Sequence, residues 1–470
     1  MLKAVAALLF ASLASASSAQ ALRPDRAEFR SLYKELVETN TEVTDGSCTQ
    51  AAQQLAARLQ AAGIPQQQVT LFSVPEHPKD GGIVAVYPGT STALKPLLLL
   101  AHIDVVVAKR SDWVRDPFTL IEEGGYFYGR GTSDDKAQAA VWADMLARFA
   151  REHYRPRRTI KMALTCGEET SGAFNGAQYL ANNRRELIDA EFALNEGGGG
   201  RTNGKAVSHG GKITVQTIQV GEKAYQDFTL TVTNPGGHSS QPVRKNAIYE
   251  MADALEKVRD LEFPAEFNDT TRTYFAESGK VRGDEVGRAM VALAANPSDK
   301  QAQAVVNREK DLHSMLRTTC VATLIDGGHA LNALPQKVTT NVNCRMFPGR
   351  TTAETQAAIV AAIRNPDVSV QPRPPVKPIA KVPPLDPAII GPMKQLSARY
   401  FPGVPVIPSM STGATDGLYL EAVGIPTYGV PGLWFDPDGN GTHGLNERME
   451  VQSLYTGRDY LTDLVKAYTK

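Results

Sequence analysis

Histidine and acidic side chains recur where apolar, strand-like segments of this sequence end. The apolar run Pro96–Ala101 is followed directly by His102, Ile103 and Asp104. Because side chains alternate along a strand, His102 and Asp104 are expected to point the same way. A histidine with a carboxylate two residues on suits a metal ligand and the group that orients it, although so short a pattern is also common by chance.

Pairs of adjacent carboxylates follow two other segments. Asp134 and Asp135 end a glycine-rich turn at the mouth of a predicted helix, where Asp135 is also a good N-cap residue. Glu168 and Glu169 follow the apolar run Thr159–Thr165. At the edge of a sheet such neighbours repel unless a cation lies between them or one holds a proton. The pair therefore favours one metal ligand and one general base.

Two further candidate ligands lie later in the chain. Glu196 follows the strand-like run Phe192–Leu194 and precedes four glycines, which allow close backbone approach. His443 lies in the loop Asp436–Asn446, ahead of the last predicted helix. Nitrogen and oxygen ligands without thiolate favour zinc, cobalt or manganese. Two such ions, about 3.5–4 Å apart, could share one carboxylate and one water.

The elements that must position these side chains alternate between helix and strand. Helical spacing predicts helices over residues 26–39, 47–63, 135–151 and 172–183. Apolar runs predict strands over residues 82–87, 96–101, 159–165 and 191–194. This order predicts an α/β fold with a mixed, mostly parallel sheet and helices on both faces.

From about residue 222 the pattern predicts an inserted α+β unit. It contains predicted strands at 228–233, 321–325 and 337–347, predicted helices at 244–259 and 351–364, and a polar helical stretch at 267–316. The proline-rich stretch Pro372–Pro387 is typical of a linker back to the first unit. We therefore expect a catalytic domain in two segments, 22–221 and 379–470, with an insert at 222–378.

Composition and the N-terminal segment narrow the function classes. Length predicts two or three domains, and 50 basic against 50 acidic residues argues against nucleic-acid binding. Residues 1–21 are expected to be a cleaved signal peptide, and no later segment is long and apolar enough to span a membrane. A periplasmic or secreted protein is therefore predicted.

Export permits disulfides, and Cys320 and Cys344 lie in two strands that could be neighbours. The sequence contains no CxxC pair, so a zinc site made of thiolates is not expected.

The order of the motifs resembles a known enzyme family. The resemblance is to the dinuclear zinc metallopeptidases that include glutamate carboxypeptidase, succinyl-diaminopimelate desuccinylase, aminoacylase and carnosinase, and it covers nearly the whole mature chain. It rests on His102-x-Asp104, Gly129–Asp134, Gly167–Glu169, Asn195–Gly198, Gly237–Ser240 and His443. Each motif alone is weak, and the specificity comes from six of them in order.

The resemblance implies a role for each residue at the predicted metal centre. It implies His102 and Glu196 on one zinc ion, Glu169 and His443 on the other, and Asp134 bridging. Asp104 would orient His102 through its second ring nitrogen. Glu168 would be the general base that takes a proton from the water between the metals and passes it to the leaving nitrogen. The family also places a cis peptide after the bridging residue, here between Asp134 and Asp135.

The same resemblance implies a function for the insert. In this family it is a lid that carries dimerisation, and His238 is expected to reach the partner subunit's site and stabilise the oxyanion. Asn332 resembles a residue near the substrate, and Arg345 the arginine that holds the substrate's free carboxylate. Two departures stand out: Ala414 replaces a common glycine, and the stretch 267–316 makes the insert long. That stretch could widen the dimer contact or reshape the pocket entrance.

Several functions remain open on these grounds. The favoured one is an exported carboxypeptidase or dipeptidase that acts on peptides with a free C-terminal carboxylate. An N-acyl-amino-acid deacylase is the alternative, and an aminopeptidase would need an acidic group for the substrate ammonium that we cannot identify. A non-catalytic periplasmic binding protein would share the export and the two domains. It would have no use for a general base such as Glu168.

Overall fold

A computed structural model describes residues 23–170 and 174–470, so the predicted signal peptide lies outside the described residues. The helices are α1 (Pro24–Glu38), α2 (Cys48–Ala61), α3 (Lys136–Arg151), α4 (Gly176–Asn183), α5 (Arg185–Ile188), α6 (Ala247–Arg259), α7 (Asp269–Arg282), α8 (Glu285–Ala295), α9 (Lys300–Val306), α10 (Lys310–Met315), α11 (Thr352–Ile363), α12 (Pro387–Tyr400), α13 (Gly417–Ala422) and α14 (Val451–Thr469). The strands are β1 (Val69–Val74), β2 (His77–Tyr87), β3 (Leu97–His102), β4 (Ile121–Glu123), β5 (Tyr126–Tyr128), β6 (Ile160–Thr165), β7 (Phe192–Asn195), β8 (Gly199–Thr202), β9 (Ile213–Glu222), β10 (Ala224–Thr233), β11 (Gly237–His238), β12 (Thr319–Gly327), β13 (Ala333–Leu334), β14 (Lys337–Met346), β15 (Val368–Pro372), β16 (Val406–Ser411), β17 (Thr427–Gly429), β18 (Trp434–Phe435) and β19 (Arg448–Glu450).

A large mixed sheet forms the first unit, as the sequence predicts. Its strand order is β1-β2-β6-β3-β7-β17-β9-β8-β18, and β16 pairs with β9. The central strands β6, β3, β7 and β17 are parallel to one another. Their carboxyl ends therefore meet at one edge of the sheet, where polar side chains can converge.

The middle of this sheet is fully buried because its strands are continuous apolar runs. Every residue of Leu97–His102 is buried, and β3 lies between β6 and β7. Helix α3 covers one face, and the indole nitrogen of Trp142 donates to the carbonyl of Leu100 at 3.1 Å. A rigid central strand therefore ends at His102.

A second, antiparallel sheet is built from residues 224–372, with strand order β12-β14-β10-β15. Helices α6 and α11 cover one of its faces, with Met251 and Ile359 in the core between them. On β12 the apolar side chains of Val321, Leu324 and Ile325 are exposed. Strand β12 is therefore an uncovered edge strand within the described chain.

The predicted helical stretch 267–316 forms the four helices α7 to α10. They share a core that includes Phe275 and Leu293, and this core extends to Met410 on β16 of the large sheet. The stretch thus packs against the outer part of the first unit.

Both pairs of cysteines are joined. Cys320 and Cys344 are directly paired residues of β12 and β14 and form a disulfide, which confirms that these strands are neighbours. Cys48 and Cys166 form a second disulfide across 118 positions of sequence. The second bridge was not predicted, because the N-terminus of α2 and the end of β6 share no local pattern.

Two differences from the sequence predictions have simple causes. Strand β1 was not predicted, since it pairs only with β2 at the sheet edge and leaves residues such as Leu71 exposed. The helix predicted over residues 172–183 is shorter in the structure, because α4 begins at Gly176 with Asn175 as its N-cap.

Among residues 23–170 and 174–470, no helix has both the length and the hydropathy needed to cross a membrane.

Candidate active site

Three neighbouring parallel strands bring the predicted ligands to one edge of the large sheet. His102 is the last residue of β3, Glu168 and Glu169 follow β6, and Glu196 follows β7. The turn before Glu168 depends on Gly167, whose φ is +90°. A Cβ there would lie 1.8 Å from the carbonyl oxygen of Phe174. Only glycine fits this position, and it directs the two glutamates into the site.

Asp134 lies between the two histidines. His102 Nε2 is 3.0 Å from Asp134 Oδ1 and 3.8 Å from Glu196 Oε2. His443 Nε2 is 3.2 Å from Asp134 Oδ2 and 2.8 Å from Glu169 Oε2. The structure therefore brings together all five predicted ligands, with the two oxygens of Asp134 facing different histidines.

The carboxylates at this edge of the sheet would carry more negative charge than two protonated histidines could neutralise. Burial and neighbouring acids raise the pKa of Glu168 and of Glu196 well above its usual range. Burial also opposes ionisation of Asp134, but hydrogen bonds with His102 and His443 outweigh it and lower its pKa. Bound cations would favour the ionised carboxylates and so lower these pKa values.

The pKa values of the two histidines are also raised, which for these residues favours the charged form. Burial disfavours the charged form of His102, but Glu196, Asp104 and Asp134 more than compensate and raise its pKa well above the usual value. Hydrogen bonds to Asp134 and Glu169 raise the pKa of His443 to about 10. The donor set contains only imidazole nitrogen and carboxylate oxygen, and ligand atoms of His102, Asp134 and Glu169 lie within 4.8 Å of one another, as do those of His102, Glu168 and Glu196. These residues fit two divalent cations.

Asp104 contacts the second ring nitrogen of His102, but mainly through its main chain. His102 Nδ1 is 3.1 Å from the Asp104 carbonyl oxygen and 3.6 Å from the carboxylate. The carboxylate instead accepts the amide hydrogens of Glu168 at 3.3 Å and Glu169 at 3.0 Å. Asp104 therefore orients the histidine and holds the turn that carries both glutamates.

Glu447 is an important residue that the sequence analysis missed. It is fully buried. One oxygen accepts hydrogen bonds from the Arg130 guanidinium at 2.8 Å and the Gly131 amide at 2.9 Å, and the other accepts from the amides of Ser133 and Asp134 at 2.8 and 3.0 Å. Glu447 thus holds the backbone that presents Asp134, and no motif marks it because its partners lie more than 300 positions away.

The same loop contains two further features. The peptide bond between Asp134 and Asp135 is cis, as the resemblance implies. Asp135 occupies the N-cap of α3, but its side chain makes no capping hydrogen bond.

The loop with the alanine departure is also anchored at the site. Asp416, two residues after Ala414, accepts hydrogen bonds from Thr165 Oγ1 at 2.6 Å and Asn175 Nδ2 at 2.7 Å. It therefore ties this loop to the end of β6. The glycines after Glu196 serve a different packing need, since a Cβ on Gly198 would lie 2.4 Å from the Val430 carbonyl oxygen.

Two cavities adjoin the cluster. The first, with about 880 Å³ of empty space, is lined by Glu168 and Glu169 and by Arg345 of β14. The second, of about 810 Å³, is lined by Asp134 and Glu196 and by an apolar wall of Val430, Leu433, Phe435 and Leu461. None of the described residues of α7 to α10 lines either cavity, so the structure does not show them at the pocket entrance.

The other two predicted lid residues lie elsewhere. His238 and Asn332 are exposed and adjacent where β11 pairs with β13, and the Ser239 amide donates to the Asn332 carbonyl at 3.0 Å. Neither residue lines the two cavities described above. The structure of one chain therefore joins Arg345 to the cluster but leaves His238 and Asn332 apart from it.

The profile of Peptidase family M20/M25/M40 matches residues 98–467, and the chain belongs to that family. Membership of this peptidase family, together with the donor set described above, makes the chain a metal-dependent amide hydrolase. This result confirms the resemblance found in the sequence and does not support a non-catalytic binding protein.

Individual relatives extend this comparison. The chain is 27% identical over 385 residues to the human N-fatty-acyl-amino acid synthase/hydrolase PM20D1, covering 80% of this chain and 75% of that protein. The M20 family metallo-carboxypeptidase Sso-CP2 from Sulfolobus solfataricus has a similar fold, with a TM-score of 0.71, 17% identity, and coverage of 94% and 99%. Human carnosine dipeptidase 1 has a TM-score of 0.64 at 15% identity, with coverage of 94% and 97%.

The Glu447 anchor predicts an effect on metal affinity. In Glu447→Gln an amide NH₂ would face donors that now contact a carboxylate, and the loop carrying Asp134 would lose its fixed position. We expect metal affinity to fall about 10- to 100-fold, as for other outer-sphere changes, in a competition titration against a chromogenic chelator. Glu152→Gln, which changes an exposed acid at the opposite end of helix α3, is the control and should leave affinity unchanged. Equal affinity in both variants would refute the anchoring role.

The raised histidine pKa values predict proton release on metal binding. In the metal-free protein His443, with a pKa of about 10, is protonated at neutral pH, and the neighbouring carboxylates raise the pKa of His102 despite its burial. A metal needs the neutral imidazole, so protons must leave and affinity should rise with pH. Calorimetry of zinc binding at one pH in buffers of different ionisation enthalpy should give different heats, and His443→Asn should reduce that difference. Identical heats in both buffers would contradict the prediction.

Proposed function

We propose that this protein is an exported exopeptidase that hydrolyses the amide bond next to a C-terminal residue with a free carboxylate. The observation that carries this proposal is the first cavity. It extends from Glu168 and Glu169 at the ligand cluster to Arg345 on the second sheet. A substrate amide could therefore lie at the cluster while its carboxylate contacts the guanidinium.

Arg345 is available for such a contact. Among the described residues, no carboxylate lies within 4 Å of its guanidinium, which instead lies 5.0 Å from the centre of the Tyr225 ring. A planar guanidinium binds a carboxylate through two parallel hydrogen bonds. This supports Arg345 as the group that selects substrates with a free C-terminus.

Glu168 is the general base of the proposed reaction. Bound at His102, Asp134, Glu169, Glu196 and His443, two divalent cations would activate a water molecule and polarise the substrate carbonyl. Glu168 takes a proton from the attacking water and later delivers it to the leaving nitrogen. Its carboxylate oxygen lies within 4.8 Å of the ligand atoms of His102 and Glu196, which places it beside the proposed metal centre where the attacking water would be held.

An N-acyl-amino-acid deacylase is a second candidate, supported by the second cavity. Its apolar wall, which includes Val430, Leu433 and Phe435, lies next to Asp134 and Glu196. An acyl chain could occupy this wall while the amino-acid carboxylate contacts Arg345. The name of the human relative, an N-fatty-acyl-amino acid synthase/hydrolase, agrees with this reading.

We further propose zinc as the metal and the periplasm or the cell exterior as the location. The mixed nitrogen and oxygen donors suit zinc, with cobalt and manganese as alternatives. The disulfides Cys48–Cys166 and Cys320–Cys344 support a compartment that is oxidising, since they would be reduced in most cytosols.

A homodimer would complete the site. The insert, proposed as residues 222–378, presents the edge strand β12 and the exposed side chains of Ile248 and Tyr249 on the neighbouring helix α6. An uncovered apolar edge strand is a surface that another chain can pair with. In such a dimer we propose that His238, exposed on each lid, enters the partner's site and stabilises the oxyanion.

Substrate class and mechanism can be tested together. The mature chain, with added zinc, should release amino acids from a library of dipeptides, longer peptides and N-acyl amino acids, and a chelator should stop the release. Glu168→Gln should lower kcat by about 10²- to 10⁴-fold, the usual contribution of a general base, while metal content stays unchanged. The set of cleaved compounds separates carboxypeptidase, dipeptidase and deacylase. Unchanged turnover in Glu168→Gln would rule out the assigned base.

Mixing two inactive variants tests the shared site. His238→Ala and Glu168→Gln should each have little activity alone. After mixing and subunit exchange, heterodimers contain one site with both an intact base and an intact partner histidine, so activity should recover to about one quarter of wild type. Each variant taken alone through the same exchange procedure is the control and should stay inactive. Absence of recovery in exchanged dimers would refute donation of His238 between subunits.

A further inference from the structure

The wall of the first cavity contains a second cation besides Arg345. Lys377, in the linker that returns from the insert, also lines this cavity. The two cations lie around one aromatic ring, with Arg345 Cζ 5.0 Å and Lys377 Nζ 4.9 Å from the centre of the Tyr225 ring. Two positive groups of the cavity wall are thus held near each other.

Lys377 is held firmly in this position. Its ammonium donates to the Tyr419 hydroxyl at 2.8 Å, and its main-chain amide donates to Gln226 Oε1 at 3.0 Å. Burial disfavours its charge, but the contacts with Tyr419 and Tyr225 outweigh this and raise its pKa above the usual value. The side chain is therefore charged at neutral pH and oriented before any ligand binds.

Among the described residues, neither Arg345 nor Lys377 has a carboxylate within the 4 Å of an ion pair. The acids that share the cavity, Glu168, Glu169 and Asp416, form no ion pair with either cation. Asp227 lines an adjoining cavity with Lys377, but its carboxylate accepts hydrogen bonds from the amides of Asn341 and Asn343 at 2.9 and 3.0 Å. Two half-buried cations without a carboxylate partner are typical of a site for anionic ligands.

We propose that Lys377 binds a second carboxylate, carried by the side chain of the substrate's C-terminal residue, so that the enzyme prefers peptides or N-acyl amino acids ending in glutamate or aspartate. This inference rests on the proposed function, in which Arg345 binds the terminal carboxylate. A neutral C-terminal side chain would cover the ammonium without replacing its lost water contacts. A carboxylate would replace them with a charge-assisted hydrogen bond.

The test compares substrates that differ only in charge at the terminal side chain. For the zinc-loaded mature chain, we expect kcat/KM to be about tenfold higher for a substrate ending in glutamate than for its glutamine analogue, the size of one well-formed charged contact. Lys377→Met should bring this ratio to within about twofold of one. Arg345→Met should lower kcat/KM for both substrates, because both contain the terminal carboxylate.

A matched control separates charge recognition from structure. Lys381→Met removes an exposed lysine four positions along the same linker and should leave the glutamate-to-glutamine ratio unchanged. If Lys377 only fastened the linker to Tyr419, Lys377→Met would lower both activities by the same factor. That result, or a wild-type ratio near one, would overturn the inference.

A binding measurement tests recognition of the second carboxylate without requiring turnover. Calorimetry with zinc-loaded Glu168→Gln should show tighter binding of N-acetylglutamate than of N-acetylglutamine, and the added change Lys377→Met should remove the difference. If no substrate is hydrolysed but this difference is found, the proposed function fails while the binding site stands. Equal binding of the two compounds, or binding of neither, overturns the inference.

Discussion

The need to place many carboxylates at one buried edge of a sheet is the constraint on which this structure depends. Asp134, Glu168, Glu169 and Glu196 converge there with only two histidines, and burial raises the pKa of most of these acids. Without added positive charge they must hold protons or repel one another. The edge is therefore built for cations, and its surroundings must hold the acids in place despite that repulsion.

The supporting contacts meet this need by using backbone amides. Asp104 accepts the amides of Glu168 and Glu169, and Glu447 accepts those of Gly131, Ser133 and Asp134. In both cases an outer carboxylate fixes the main chain of a turn that carries inner acids. Metal sites depend on such outer contacts for ligand orientation, so the two anchors matter as much as the ligands they position.

Local sequence patterns placed part of the inner site, because His102, Glu168 and Glu196 lie at the ends of apolar runs, whereas Asp134 and His443 lie in loops. A buried strand is recognised from its own residues, and parallel strands necessarily bring their ends together. Glu447, Asp416 and Lys377 were not recognised, since their roles arise from partners far away in the sequence. Glu447 accepts a hydrogen bond from Arg130, which is 317 positions away in the sequence, and no periodicity or motif predicts such a contact. The same reason explains the missed disulfide between Cys48 and Cys166.

The two ends of the first cavity belong to different parts of the chain, and this division bears on specificity. Glu168 and Glu169 lie at the edge of the large sheet, whereas Tyr225 and Arg345 are paired residues of the second sheet. Lys377 connects the return linker to the first unit, since its ammonium donates to Tyr419 of that unit. Changes on the second sheet can therefore alter which leaving residue is accepted without disturbing the carboxylates that perform hydrolysis. A substrate whose terminal carboxylate contacts Arg345 and whose side-chain carboxylate contacts Lys377 would add a contact between the insert and the first unit, so we expect substrate binding to stabilise the relative position of the two units.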